Sequence, residues 1–397
     1  MSLGDGTGID AEVAIVGAGP SGLLLAAELE RAGIDGVLLE QRTDGKAASR
    51  AIGVHPVVLA RLEASGAAEQ IVGAACKITH GEVRAGRRFL GEIRFDRLDA
   101  RFPFVAAVPQ LITEQAVAQG GPAPSVGVQV LRVQDRGTHV DVDCSIASVQ
   151  RTIRALYVVI AAGVGGAALI EGCVPTRKRY SDRYVMADLP GDGSREGTET
   201  RATIVLHRDG VVESFPLPGG SRRLVAWVGN ASEPVPEDHA AAESQLRKAV
   251  AERAGEYQLA ERIESAVTFG ISRTLLPHLR GGRILVIGDS AHEISPIGGQ
   301  GMNLGLLDAL TLAPHLRDVV QRDDDSTGLA RWEARRLRSA RTAARLAGAN
   351  TRLGRPKVAA LHGITAALAA AATRGISGRV LARAYSMGFD RDARSDV

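Results

Sequence analysis

The chain has 397 residues, 45% apolar and 23% charged, with a formal net charge of +3, so it is long enough for one large or two medium domains around a real core. That small charge is evenly spread, with no basic run interleaved with aromatics, which argues against a nucleic-acid partner. Cys76, Cys144 and Cys173 are scattered and include no Cys-x-x-Cys pair, which points away from a metal or dithiol centre and towards a reducing compartment.

Met1 to Glu12 is polar and Gly-rich rather than leader-like, and no stretch reaches the roughly 18 apolar residues of a membrane span. The expectation is a cytoplasmic protein without a metal, monomeric or homodimeric.

Glu12 to Val16 is a short apolar run and predicts a buried parallel strand. Gly17-Ala18-Gly19-Pro20-Ser21-Gly22 follows, then a helical pattern over Leu23–Ala32 stopped by Gly33, then a strand Val37–Leu39 ending in Glu40. This is the dinucleotide fingerprint in its required context. Gly17 permits the tight turn, Gly19 lets backbone approach a diphosphate, and Gly22 lets the helix lie close on the strand. The phosphates then meet the unpaired N–H groups of a helix N-terminus. Glu40 lies 23 residues after Gly17, where a carboxylate accepts hydrogen bonds from the adenosine ribose, with Gln41 and Arg42 beside it. The motif alone leaves FAD and NAD both open.

Residues 80–105 and 175–275 read as β-rich, with alternating runs at Thr203–His207, Val211–Phe215 and Arg223–Val228 and turns at Pro190-Gly191 and Gly219-Gly220. Ile284–Ile287 predicts another buried strand, closed by Gly288-Asp289-Ser290-Ala291-His292. A Pro/Gly-rich loop follows, Pro296-Ile297-Gly298-Gly299-Gln300-Gly301-Met302-Asn303, and then a helix over Met302–Leu316. Residues 329–350 predict an Arg/Ala-rich helix. Residues 356–387 predict an Ala-rich helical region interrupted at Gly363, Gly375 and Gly378, with an apolar face packed across both domains.

The stretch from Gly288 to Asn303 closely resembles the class A flavoprotein monooxygenases of the para-hydroxybenzoate hydroxylase fold. Their pattern reads Gly-Asp-Ala-Ala-His and then Pro-x-x-Gly-Gln-Gly-Met-Asn, and it differs here only at Ser290. The resemblance implies an α/β fold, a Rossmann-like FAD-binding domain with a β-sheet substrate domain and C-terminal helices. It implies that Asp289 holds the ribityl chain, and that Pro296, Gly298, Gly299, Gln300, Gly301, Met302 and Asn303 pass beside the isoalloxazine, near the reaction centre. No catalytic side chain is assigned. His292 is expected to be a structural histidine. Arg50 in Ser49-Arg50-Ala51 is expected near the cofactor phosphates and Gln110 in Pro109-Gln110 as an FAD contact. Met186, Phe215 and Trp227 are candidates for the substrate pocket.

The implied domains are 10–80, 106–174 and 276–328 for FAD, 81–105 and 175–275 for substrate, and 329–397 as a helical region. The implied activity is hydroxylation of an aromatic or polyketide-like small molecule through a flavin C4a-hydroperoxide, with NAD(P)H and O2 as co-substrates. Baeyer–Villiger insertion, another flavin oxidoreductase, or a non-catalytic FAD- or ligand-binding protein stand as alternatives. A flavin halogenase is disfavoured because Trp227 and Trp332 are isolated.

One family motif is altered. Where relatives carry Asp-Gly followed by an Arg-Ser pair, this chain has Ala162-Gly163-Val164-Gly165-Gly166 after the strand Tyr157–Ala161. Gly163 keeps its place at the cofactor, but a carboxylate and a guanidinium are gone. Two outcomes stay open at this level: weak or altered NAD(P)H binding with electrons from a partner flavin reductase, or FAD binding without normal turnover.

Overall fold

The computed structural model describes residues 8–43, 51–172, 174–191, 200–230, 239–322 and 327–390. Its first layer is an eight-stranded sheet. Ala11–Val16 lies at the centre, parallel to Gly36–Glu40 on one side and to Val149–Ile160 on the other, and Val149–Ile160 is parallel to Ile284–Val286. Val13, Ala14, Ile15, Val158, Val159 and Ile160 are fully buried, as expected of parallel strands covered on both faces. The N-terminal half of the long strand Val149–Ile160 also carries an antiparallel extension, Val140–Ile146 and Val128–Asp135.

Two helices cover one face. Pro20–Arg31 starts with proline in its first turn, where the absent N–H is not needed. Gly301–Gln321 packs against it closely at Gly305, where an added methyl would collide with Ser21 Oγ of the first helix and lie 3.0 Å from the Cα of Gly288. The 27-residue helix Thr327–Leu353 lies outside Gly301–Gln321.

The second layer is a seven-stranded sheet in the spatial order 267–275, 176–189, 222–230, 212–216, 201–206, 80–85 and 88–94. One of its faces, including Val185, Ala187, Val205, Val212, Leu224 and Ala226, packs on the helix His239–Ala249. The opposite face, including Val83, Tyr184, Val225 and Trp227, meets the loop Pro296–Asn303 through Ile297. A small sheet of Gly53–Val54, Val105–Ala107 and Cys76–Ile78 sits apart from both.

The C-terminal region differs in part from expectation. Gly363 sits inside a continuous helix, Ala359–Ala372, and Gly378 inside Gly375–Tyr385; the break falls at Gly375, whose φ is +56°. The two helices pack by small residues such as Ala366 and Ala382, while Leu361, Ile364, Leu368, Ile376 and Val380 are each at least half exposed. Alanine allows close approach to the sheet, so the larger side chains are left on the outer face. Among the described residues, no helix is long and apolar enough to cross a membrane.

Candidate cofactor and substrate site

The first motif forms at the C-terminal edge of the central strand. Gly17 has φ +106°, and a methyl there would sit 2.5 Å from the carbonyl oxygen of Ala161; only glycine tolerates both the conformation and the contact. A methyl on Gly22 would meet the carbonyl oxygen of Gly17 at 1.9 Å, so helix and turn are in direct contact. Among the described residues, nothing lies within 4 Å of where a Gly19 methyl would be, and no side chain caps the helix that begins at Pro20. The turn therefore presents N–H groups and a positive dipole end to unfilled space.

Glu40 is buried and locks this turn. It accepts the Ala18 backbone N–H at 2.9 Å, and the Arg42 backbone N–H and Nε, each at 2.9 Å. Burial alone would raise its pKa, but the hydrogen bonds from Arg42 and Ala18 outweigh that and hold the carboxyl below its ordinary value. The group is thus an ionised acceptor at neutral pH. Gln41 is exposed beside it.

The second motif closes onto the first. Gly288, at φ 62° and ψ −147°, occupies a backbone region reserved for glycine, and a methyl on it would lie 2.9 Å from Ser21 Oγ. Gly163 follows the third strand end and joins the same turn region: its carbonyl accepts the Ser290 hydroxyl at 2.8 Å. Asp289 lies beside Gly301, the first residue of the long helix, with its Oδ1 3.8 Å from where a Gly301 methyl would be. The loop from Pro296 is tied by a bond from Gly299 N–H to the Pro296 carbonyl (2.9 Å), and Gly298 and Gly299 both have positive φ.

Several expected residues are already engaged. The Asn303 side chain donates to the carbonyls of Gly53 (2.8 Å) and Gly299 (3.0 Å) and accepts the His55 N–H (2.8 Å), so it braces the loop. Gln300 is buried, donates to the Ala384 carbonyl at 3.3 Å, and leaves its Oε1 without a hydrogen-bond partner among the described residues. Met302 is half-buried in the first turn of the long helix. Gln110 opens the helix Gln110–Val117 and donates to Glu114 at 2.8 Å. Arg50 lies outside the described residues. On the sheet, Met186 and Phe215 are half-buried on the face towards the loop, whereas Trp227 is pinned by its indole N–H to Asp182 at 3.0 Å.

His292 serves the scaffold. Its Nε2 lies 2.5 Å from Asp308 Oδ2, which also accepts the Gly288 N–H at 3.0 Å. Asp308 Oδ1 accepts Arg336 Nε at 2.7 Å, and Arg336 continues to Asp390 at 2.8 Å. All four side chains are essentially inaccessible. Burial works against charge on both members of the pair. For His292 the attraction of Asp308 wins and raises its pKa; for Asp308 the attraction of His292 and Arg336 wins and lowers its pKa. The network fixes Gly288 and so the Asp289 turn. Asp308 was visible in the sequence as an acid in an otherwise apolar helical run; Arg336, 28 residues further on, carried no local signal.

His55, Tyr385 and Asn350 adjoin the loop, and Glu213 lies on the sheet face turned towards it. His55 is buried beside Gly299, its Nδ1 has no hydrogen-bond partner among the described residues, and burial depresses its pKa to about 4. Tyr385 donates to Asn350 Oδ1 at 2.6 Å, and Asn350 Nδ2 is 2.9 Å from where a Gly298 methyl would be. Glu213, two residues before Phe215, was detectable as an acid on the same side of an alternating strand.

Residues 10–347 match the FAD binding domain family. The chain belongs to that family. Within it, the chain is 29% identical over 327 residues to 6-methylpretetramide 4-monooxygenase of Streptomyces rimosus, covering 78% of this chain and 56% of that protein. It is likewise 29% identical over 314 residues to rifampicin monooxygenase of Streptomyces venezuelae, covering 76% of this chain and 63% of that one. The chain thus spans about six tenths of the length of these two relatives. Its backbone matches the crystal structure of p-nitrophenol 4-monooxygenase from Pseudomonas putida DLL-E4 with a TM-score of 0.84 at 21% identity, over 98% of this chain and 99% of the other. The α/β architecture with C-terminal helices is therefore that of the FAD-binding monooxygenase fold. The open turn at Gly19, the uncapped helix and the ionised Glu40 fit the diphosphate and ribose of that family's cofactor.

Proposed function

We propose that the chain is an FAD-dependent monooxygenase that hydroxylates an aromatic or polyketide-like small molecule, with NAD(P)H and O2 as co-substrates. The observation that carries this reading is the meeting of two glycine turns far apart in sequence: Gly288 abuts Ser21. One extended dinucleotide can then be gripped at its diphosphate by Gly17, Gly19, Pro20, Ser21 and Gly22 and at its ring by the loop Pro296–Asn303. Residues 10–80, 106–174 and 276–328 would form the FAD-binding part, 81–105 and 175–275 the substrate part, and 329–397 the helical region.

Bound FAD would supply electron transfer and activation of dioxygen. The residues of the chain bind, orient and exclude water. Glu40 would accept the ribose hydroxyls, with Arg42, Gln110 and Gly163 around the nucleotide; Arg50, outside the described residues, is assigned to the phosphates from the sequence motif alone. Asp289 accepts hydrogen bonds from the ribityl chain. The N-terminus of Gly301–Gln321 offers N–H groups to the ring edge that becomes negative on reduction, an interaction worth roughly 0.3–2 kcal/mol. Met186 and Phe215 make the sheet face apolar, which keeps water from the reacting atoms.

The loss of the Asp and Arg of the third motif bears on electron supply. Measuring NADPH oxidation by the FAD-loaded chain, alone and with a flavin reductase, tests this. Stimulation of oxidation by an aromatic compound, with formation of a hydroxylated product, supports the monooxygenase; oxidation that yields only hydrogen peroxide with every aromatic tried defeats it.

A further inference from the structure

Glu213 is a carboxyl group in an apolar row. It pairs across the sheet with Ile204 and Val225, and beyond these lie Val83 and Met186. Its side chain shares the face of Val211 and Phe215, the face that meets the loop through Ile297. It is only 7% exposed, and among the described residues it has no hydrogen bond or ion pair. A buried carboxylate without a partner is costly and is kept where something else completes it.

Its neighbours place it beside the loop. Burial first, and then the Glu213 charge, push the Tyr385 phenol up to about 12 and raise Tyr184 well above its usual range. Tyr385 in turn stands beside Gly298: its ring carbon Cε1 is 4.0 Å from where a methyl on that glycine would be. Tyr385 is already committed to Asn350, and the Tyr184 hydroxyl is buried without a hydrogen-bond partner among the described residues. Glu213, Tyr184 and Tyr385 therefore lie close together on the side of the sheet that faces the loop; the cation that acts on Tyr184 is Arg355, which is bound to Asp182 at 2.7 Å and leaves Glu213 itself unneutralised among the described residues.

We propose that Glu213 sets substrate class: its carboxylate accepts a hydrogen bond from a hydroxyl or amine donor on the substrate, so the site takes donor-bearing aromatic compounds and rejects aromatic carboxylates. This rests on the monooxygenase reading for the identity of the pocket. The physical reason is charge: an acid from the substrate would meet an unneutralised acid in a low-dielectric space, whereas a donor completes the buried acceptor. Burial itself favours the neutral carboxyl and brings Glu213 to about 7, so the discrimination is strongest above that pH.

The test is calorimetric titration of the full chain, FAD-loaded, at pH 8 with 2-naphthol and 2-naphthoate. The expected result is at least tenfold tighter binding of the naphthol. In Glu213→Gln and in Glu213→Met that ratio falls to within about threefold, with unchanged circular dichroism. Equal binding of the two probes, stronger binding of the naphthoate, binding of neither, or a ratio unchanged in both variants overturns the proposal. A chain that refuses FAD but still shows the Glu213-dependent ratio would defeat the monooxygenase reading and leave this assignment standing.

Discussion

The Ser290 hydroxyl donates to the carbonyl of Gly163 at 2.8 Å, and a methyl added to Gly166 would lie 2.2 Å from the same Ser290 oxygen. These are two places where the chain departs from the family pattern. Ser290 stands for an alanine and Gly166 for the serine of an Arg-Ser pair, and the departures meet in space. Glycine at 166 makes room for serine at 290, and the serine binds the turn that lost its aspartate at Ala162.

The pair should therefore show energetic coupling. Gly166→Ala alone is expected to lower stability by about 1–3 kcal/mol through overpacking. In a Ser290→Ala background its cost should shrink, though not to zero, because Ser290 Cβ and Ile160 Cγ2 remain at 2.9 Å. Denaturant melts of the four variants measure this directly. A cycle with no coupling would show that Gly166 and Ser290 do not compensate each other.

The buried network around Asp308 predicts a large loss on Asp308→Asn. Removing one partner leaves Arg336 and His292 charged or desolvated in the core, with an expected cost of about 3–5 kcal/mol. Gly288 also loses a charged acceptor, so FAD affinity should fall with stability. The pH dependence has two sides. His292 has a raised pKa, so its contribution is present below its unfolded value of 6.5 and is lost as pH rises through its folded value. Asp308 has a lowered pKa, so its contribution is present above 3.8 and is lost as pH falls through its folded value. Asp308→Asn melts should show a smaller dependence on both limbs than the wild type.

Glu40→Gln keeps the shape of the turn but weakens acceptance of the Ala18 N–H, the Arg42 guanidinium and a ribose hydroxyl. An FAD affinity about tenfold lower is expected, the scale of one charge-assisted hydrogen bond. Fluorescence titration with FAD reads this. Unchanged affinity would remove Glu40 from the cofactor site.

Glu213→Gln should stabilise the protein at alkaline pH. The folded pKa of about 7 lies above the ordinary 4.5, so the native state holds the proton more tightly and stability drops as pH rises between these values. The gap amounts to roughly 3 kcal/mol when complete. The variant should melt several degrees above wild type at pH 8, and the difference should close towards pH 5. A variant that melts lower than wild type at pH 8 would show that Glu213 has a stabilising partner.

Much of this was legible in the chain. The parallel strands, the first helix and the Gly288 turn follow from apolar runs and glycine placement, because a buried strand and a phosphate turn each impose a local pattern. The helix Gly301–Gln321 ran further than the predicted Met302–Leu316, its last turn still burying Val319 beyond the point where the sequence turns polar. The strands Val128–Asp135 and Val140–Ile146 were missed; their outward residues are mostly polar and charged, which weakens the apolar signal. The role of Asn303 as a brace was also hidden, because its partners Gly53 and His55 are about 250 residues away. The outward apolar face of Ala359–Tyr385 was not foreseen, because periodicity gives the stripe but not which stripe is covered.

The most direct test of the whole account is the visible absorbance of the purified chain after reconstitution with FAD and gel filtration. One bound FAD per chain is predicted, with a shifted flavin spectrum in the native chain and loss of binding in Gly17→Ala, where the added methyl has no space. A colourless protein that retains no FAD after reconstitution would contradict the account at its root.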